Sequence, residues 1–393
     1  MFFCVYLWPS SVAPLVGRDI LIRVGDVDSV VIVGAGIIGT AIARELAVRG
    51  VACTVVDDRP VGGGATRASA GMLAPYVEAH ERGPLLDLAI RSLELYDPWI
   101  DAVRRESGVN VEYRRIGTLE VALDADAAAG LERAAASHAT AGSTWLGPDD
   151  AHRAHPALGA VAGALYTPVH GYVSAPQLAG ALALSAERRG VAVVRAHVRR
   201  IVRTAQGFDL ETSGGTLRAS RVVLAAGAWT NAIAGIRTPP LRPVRGQLLH
   251  LGWRGRPLSS IVWGPDCYIV PWTDGSLLVG ATVEEAGFDE RTTAVGVRDL
   301  LEAACELLPE GWGATFLEAR AGLRPATPDE LPAIGEDPAE PGIIHASGHY
   351  RNGVLLAPIT ASLVADLLVQ GKSDPALERF RPDRFASGQP IRG

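Results

Sequence analysis

Val30-Val-Ile-Val-Gly34-Ala-Gly36-Ile-Ile-Gly39-Thr-Ala-Ile-Ala-Arg-Glu-Leu-Ala-Val48, continued by Ala52-Cys-Thr-Val-Val56 and Asp57, is the stretch whose reading decides the fold. The β-branched run Val30–Val33 suits a strand buried on both faces. It leads directly into Gly-x-Gly-x-x-Gly, a helical pattern over 41–48, a stop at Gly50 and a second strand over 52–56. An acid, Asp57, follows 23 residues after Gly34. Each position has a task in a dinucleotide-binding βαβ unit. Gly34 permits the tight turn, Gly36 lets a pyrophosphate approach the backbone, and Gly39 lets the helix pack on the sheet. The phosphates would rest on the helix N-terminus, and Asp57 would accept hydrogen bonds from an adenosine ribose.

Outward from this unit, the 393 residues allow two or three domains. The chain has 37 basic and 43 acidic residues, a net charge of −6, and a pI near 5.9. This balance argues against a nucleic-acid partner or a polybasic membrane surface. Lys372 is the only lysine. A Schiff-base mechanism would need it, and its Gly371-Lys372-Ser373 context lacks the upstream glycine of a P-loop, because Asp366 stands there. Cys4, Cys53, Cys267 and Cys305 are scattered without a Cys-x-x-Cys pair, which fits a reducing, cytoplasmic setting and predicts no zinc site. His152 and His155 have no second ligand pair, so no metal is expected. The apolar Phe2–Trp8 run has no preceding basic residue and is far too short to span a bilayer, so 1–28 is read as a poorly ordered extension.

Three later segments choose between a nicotinamide and a flavin. Gly62 to Leu73 is a long small-residue stretch able to wrap a second part of a cofactor, and Arg221–Trp229 is a buried strand ending in Gly227. Gly342–Gly353 is a strand and glycine-bearing turn feeding an apolar helix around 355–368. A helix N-terminus aimed at the flavin N1/C2=O edge stabilises the negative charge gathered there on reduction. A sheet assembled from such distant pieces favours FAD over a nicotinamide, whose dehydrogenases would more simply have a contiguous nucleotide domain. The expected architecture is α/β: a Rossmann-like FAD-binding domain from 29–84, 150–235 and 321–375, and an α+β substrate domain with an antiparallel sheet from 85–149 and 236–320. A tail is expected over 376–393. Residues 85–140 read as largely helical, 241–284 as alternating strands and 294–308 as a helix.

The residues Ala68-Ser-Ala-Gly-Met-Leu73, Cys267-Tyr-Ile-Val-Pro271, Gly280-Ala-Thr282, Ala321-Gly-Leu-Arg-Pro325 and Gly348–Thr360 resemble the flavin-dependent glycine oxidases of the D-amino-acid oxidase family, the type attached to thiamine biosynthesis. The resemblance runs from about Ser29 to Asp374. It implies that Arg324 holds the substrate carboxylate and that Tyr268 donates its hydroxyl to the same group. Arg351 would lie beside flavin and substrate or orient its turn. His349 is taken as structural. The flavin would be held by Gly34, Gly36, Ile37, Ile38 and Gly39; by Asp57 and Asp58; by Thr66, Ser69, Ala70, Gly71 and Met72; by Val198, Ala226, Gly227 and Trp229; and by Gly348, His349, Tyr350, Arg351, Asn352, Gly353, Val354 and Leu355. Sarcosine-oxidase relatives attach FAD to a cysteine in the segment matching Gly322–Asp329; none stands there, so non-covalent FAD is expected.

The implied reaction is hydride transfer from a glycine-type Cα to flavin N5, giving an imine and then glyoxylate, with O2 taking the electrons as H2O2. Val283 follows the Gly-Ala-Thr turn where some glycine oxidases carry Met; the smaller side chain is either the ordinary variation of a pocket wall, the favoured reading, or one that leaves room for an N-substituent. Glycine leads, sarcosine follows, and a bulkier N-alkylglycine in a specialised pathway or a D-amino-acid dehydrogenase stays open. The resemblance also suggests a homo-oligomer, commonly a tetramer. A serine hydrolase is set aside because Ser69 lacks the Gly-x-Ser-x-Gly frame.

Overall fold

A computed structural model describes residues 29–78 and 83–385. The expected extension over 1–28 lies outside them, as do 79–82 and 386–393. Val30–Val33 is the centre of a six-stranded sheet ordered Ala333–Glu336, Ile343–Ser347, Arg221–Leu224, Val30–Val33, Cys53–Asp57, Ala192–Arg195. All neighbours run parallel except the first pair. Strand alternation sends Val30, Ile32 and Val55 to one face and Val31, Val33 and Val56 to the other. Both faces are covered, which is why Val30–Val33 is apolar at every position. Helices Ile37–Val48, Ala175–Glu187, Pro84–Ser107 and Gly353–Gln370 pack on one side. A three-stranded meander, Val198–Thr204, Gly207–Thr212 and Gly215–Ala219, closes the other through Phe208, Leu210 and Leu217.

Among the described residues, Gly353–Gln370 is the one helix long and apolar enough to cross a membrane. Here its apolar surface is a core surface, since Leu355, Leu356, Ile359, Leu363 and Val364 are buried against the neighbouring helices.

An eight-stranded sheet makes the second half. Its order is Thr315–Ala326, Arg242–Gly252, Ser276–Gly280, Tyr268–Pro271, Ile261–Trp263, Thr118–Ala122, Gly163–Thr167, Thr144–Leu146. All its pairs are antiparallel except Ile261–Trp263 with Thr118–Ala122. Helix Ala294–Leu307 covers it with Leu300, Ala304 and Leu307. The expected helix over 294–308 and the strands within 241–284 are present.

Several expected segment assignments need correction. Pro84–Ser107 does not join the antiparallel half: Leu88, Tyr96, Ile100 and Val103 pack with Ile42 in the nucleotide-side core. There Ser92 Oγ donates to Leu355 O at 2.6 Å and the Tyr96 hydroxyl donates to Val354 O. Conversely, Gly163–Thr167, expected in the nucleotide-binding half, belongs to the eight-stranded sheet, and the cut at 321 falls inside strand Thr315–Ala326. The reading of 85–140 as largely helical missed the strands Tyr113–Arg115 and Thr118–Ala122. The tail assignment fails up to 385, because Leu377 and Phe380 are buried in the same core. An apolar helical stripe says that a face is buried, not against which sheet.

Candidate active site

One cavity of about 870 Å³ runs from the glycine turn after the first strand to the concave end of the eight-stranded sheet. Its first part is built by backbone. Gly34 has φ +111, and a Cβ there would strike Ala225 O at 2.3 Å. At Gly39 a Cβ would meet Gly34 O at 1.9 Å, so the third glycine is needed for close approach of helix and turn. Gly36 differs: its φ is an ordinary −72, and a Cβ would meet nothing closer than Thr66 Oγ1 at 3.6 Å. It faces open cavity, at the N-terminus of helix Ile37–Val48.

Asp57, at the end of its strand, accepts from Ala35 N at 2.6 Å and Arg59 N at 2.8 Å. Burial raises its pKa, and those two N–H groups oppose the rise. It therefore braces the turn as well as lining the cavity. Asp58 Oδ2 lies 2.9 Å from His197 Nδ1. Arg59 is a neighbour that sequence reading missed: its guanidinium carbon sits 3.9 Å from the Trp229 ring centroid, and Nη1 pairs with Glu290 at 2.9 Å.

Of the expected flavin-side positions, Ile37, Ile38, Thr66, Ser69, Ala70, Gly71, Met72, Val198, Ala226, Gly227, Trp229, His349, Tyr350, Asn352, Gly353 and Val354 line this cavity with Gly34, Gly36, Asp57 and Asp58. Gly39, Gly348 and Leu355 do not. Gly39 and Gly348 are close-packing positions, the latter with Thr327 Cγ2 at 2.8 Å from its would-be Cβ. Leu355 points into the core. At the second helix entry, Tyr350 takes φ +48, held by its N–H donating to Pro325 O at 2.9 Å. His349 is buried with Nε2 3.1 Å from Thr360 Oγ1. Burial lowers its pKa to about 3, so the ring is neutral.

The far end of the cavity gathers Arg324, Tyr268, Arg351 and Glu78. Arg324 projects from the outer strand across Gly246, where a Cβ would lie 2.3 Å from Nη2. Its Nη1 donates to Thr282 O at 2.9 Å. Among the described residues it has no acidic partner within ion-pair distance. Behind it, Glu284 accepts from Arg245 Nη2 at 2.5 Å and Gln247 Nε2 at 2.7 Å and takes the Thr282 hydroxyl, so the carbonyl that orients Arg324 is itself fixed. Tyr268 stacks on Trp263 with centroids 5.3 Å apart. Gly280 makes room for its ring, since a Cβ there would be 2.6 Å from the hydroxyl. Burial pushes the Tyr268 pKa up, with Arg324 opposing and Glu78 adding to the rise, so the phenol stays protonated and can donate. Arg351 Nε pairs with Glu78 Oε2 at 3.0 Å.

Val283 is 58% exposed on the cavity wall. Glu78 and Gly246 escaped sequence reading; Gly280 entered it only within the Gly280-Ala-Thr282 match, without a role of its own.

Residues 29–367 match the family described as DAO, FAD dependent oxidoreductase. The chain belongs to this family. It is 38% identical over 362 residues to a bifunctional protein ThiO/ThiG of Nostoc sp., covering 90% of this chain and 55% of that relative. It thus spans about half the length of that protein. A glycine oxidase of Geobacillus kaustophilus is 38% identical over 348 residues, 86% of this chain and 92% of the relative. The crystal structure of glycine oxidase from the same organism superposes with a TM-score of 0.87 at 36% identity, covering 90% of this chain and 98% of that one. An iminodiacetate oxidase of Chelativorans sp. gives 0.82 at 29% identity, with 90% and 98% covered.

The residues present fit the family's flavin. The cavity is continuous between two helix N-termini, Gly36 leaves open the space a pyrophosphate needs, and the small-residue stretch 64–72 lines the cavity as well.

Proposed function

We propose that the chain oxidises glycine or an N-substituted glycine with non-covalent FAD, releasing glyoxylate and ammonia or an amine after imine hydrolysis. The observation that carries this reading is Arg324: a guanidinium without an acidic partner among the described residues, beside the Tyr268 phenol, in the cavity that begins at the glycine turn. Two parallel N–H donors match a carboxylate bidentately, and the phenol adds a third bond. Anchoring the carboxylate fixes the substrate Cα–H in one direction, an orientation effect that lowers a barrier by several kcal/mol. FAD, when bound, supplies the hydride acceptor. The stretch Gly34–Ile38 would hold the pyrophosphate, Asp57 the ribose, and residues 349–354 the flavin end. Neutral His349, locked on Thr360, orients its turn rather than moving protons.

Non-covalent attachment is supported by the absence of cysteine from 322–329. Cys267 lines the cavity, but burial pushes its thiol up to about 12, which leaves it a poor nucleophile. O2 is the proposed acceptor. Free, buried Cys53, Cys267 and Cys305 support a reducing cytoplasm. Trp312, Phe316 and Leu317, exposed at and just before the outer strand of the eight-stranded sheet, support a homo-oligomer. Exposed Val283 favours a second reading, in which a larger N-alkyl group passes that wall.

The test is anaerobic bleaching of the flavin absorbance by glycine, sarcosine and a long N-alkylglycine in parallel. Fast bleaching by glycine or sarcosine is expected. Bleaching only by the N-alkylglycine selects the second reading, and none by any of them overturns both.

A further inference from the structure

Glu78 ends the short helix Pro75–Glu78 and lines the cavity with Arg324, Tyr268 and Arg351. Its side chain is 15% exposed and its Oε2 is 3.0 Å from Arg351 Nε. Burial raises its pKa, while Arg351 and then Arg324 oppose that rise, so the carboxylate is held by the two cations it faces. The cations are not equivalent. Arg351 is compensated by Glu78, whereas Arg324 bonds only backbone carbonyls among the described residues. Among the described residues this end of the site therefore carries one uncompensated positive charge, enough for one carboxylate.

We propose that Glu78, by engaging Arg351, is a specificity-determining residue that restricts the site to substrates bearing a single carboxylate. This rests on the proposed oxidation of glycine-type amines. A second carboxylate on the N-substituent would have to displace Glu78 from Arg351 or lie beside it in a partly desolvated pocket, and like charges there repel strongly. The other described basic side chains on the wall already have acidic partners, Arg59 with Glu290 at 2.9 Å and His197 with Asp58 at 2.9 Å, and Asp266, Asp299, Glu302 and Glu306 line the same cavity. Glycine, sarcosine and uncharged N-alkylglycines pass this filter, and N-carboxymethylglycine does not.

The test uses the full-length flavin-loaded protein and two ligands that carry no amine to oxidise: methoxyacetate with one carboxylate and oxydiacetate with two. Dissociation constants are read from the shift in flavin absorbance. The parent protein is expected to bind methoxyacetate at least tenfold more tightly. Glu78→Gln is expected to tighten oxydiacetate at least tenfold and to shift turnover toward iminodiacetate over sarcosine. Glu78→Asp should keep the parental order, and adding Arg351→Met to Glu78→Gln should remove the gain. Unchanged ligand ratios in Glu78→Gln overturn the proposal. So does equal binding of both ligands by the parent, a comparison that decides even where Glu78→Gln loses its flavin. Turnover of glycine and sarcosine by the parent tests the activity separately: failure there with the expected ligand ratios removes the proposed reaction and leaves the charge filter standing.

Discussion

Arg324 and Arg351 are the same residue type in one cavity, and their partners give them different work. Arg324 rests on two carbonyl oxygens and presents its remaining donors to the cavity. Arg351 spends its charge on Glu78. Truncating Arg324 removes donors without touching the glycine turn. Two charge-assisted bonds at about 1.5–3 kcal/mol each place the loss in kcat/KM for Arg324→Ala at roughly 10²–10⁴-fold, with the yellow colour retained. Steady-state kinetics beside the flavin spectrum check this; unchanged kinetics, or loss of FAD, removes the assigned role. The motif around Arg324 was legible in sequence. The partner of Arg351 was not, because Glu78 lies 273 residues away in the chain and only folding brings it within 3.0 Å.

The glycine turn and its helix are the element most fully legible beforehand. Local chemistry decides them: a β-branched strand, three glycines at set spacing and a helix of small and aliphatic residues. Their structural roles separate cleanly. Gly34 and Gly39 are constrained by backbone contacts, whereas Gly36 sits in an ordinary extended conformation with empty space before it. Gly36→Val should therefore fold and lose FAD, since its methyl groups take the pyrophosphate's place. Purified protein with native circular dichroism and no flavin absorbance is the expected result; a fully loaded yellow variant sinks the assignment. The helix Pro84–Ser107 shows the opposite case. Its amphipathic pattern predicts a buried face, but its docking on Gly353–Gln370 is a tertiary choice made by Ser92 and Tyr96 reaching the carbonyls of Leu355 and Val354.

At the scale of the molecule, the two halves share buried histidines that stay neutral. Burial lowers His170 and His349 from 6.5 to about 3 and His345 to about 4. Between those values and 6.5 the unfolded chain binds protons that the native chain does not, so stability rises with pH across this window and falls on acidification. Each such histidine costs up to about 1.4 kcal/mol per pH unit below 6.5. Urea unfolding should show a lower midpoint at pH 5.0 than at pH 7.5. His345 has neither ring nitrogen hydrogen-bonded among the described residues. His345→Leu should retain more of its pH 7.5 stability at pH 5.0 than the parent, and identical pH dependence would contradict this origin.

By itself the sequence determined the nucleotide-binding unit, the mixed architecture and the motifs around Arg324, Tyr268 and Arg351, because each is encoded in residues close together or in a short spaced pattern. Only the tertiary structure decided which sheet each distant segment joins, why Gly246 and Gly280 must lack side chains, and which arginine keeps its charge free. Those depend on approaches of a few ångströms between segments far apart in the chain, which no local pattern records.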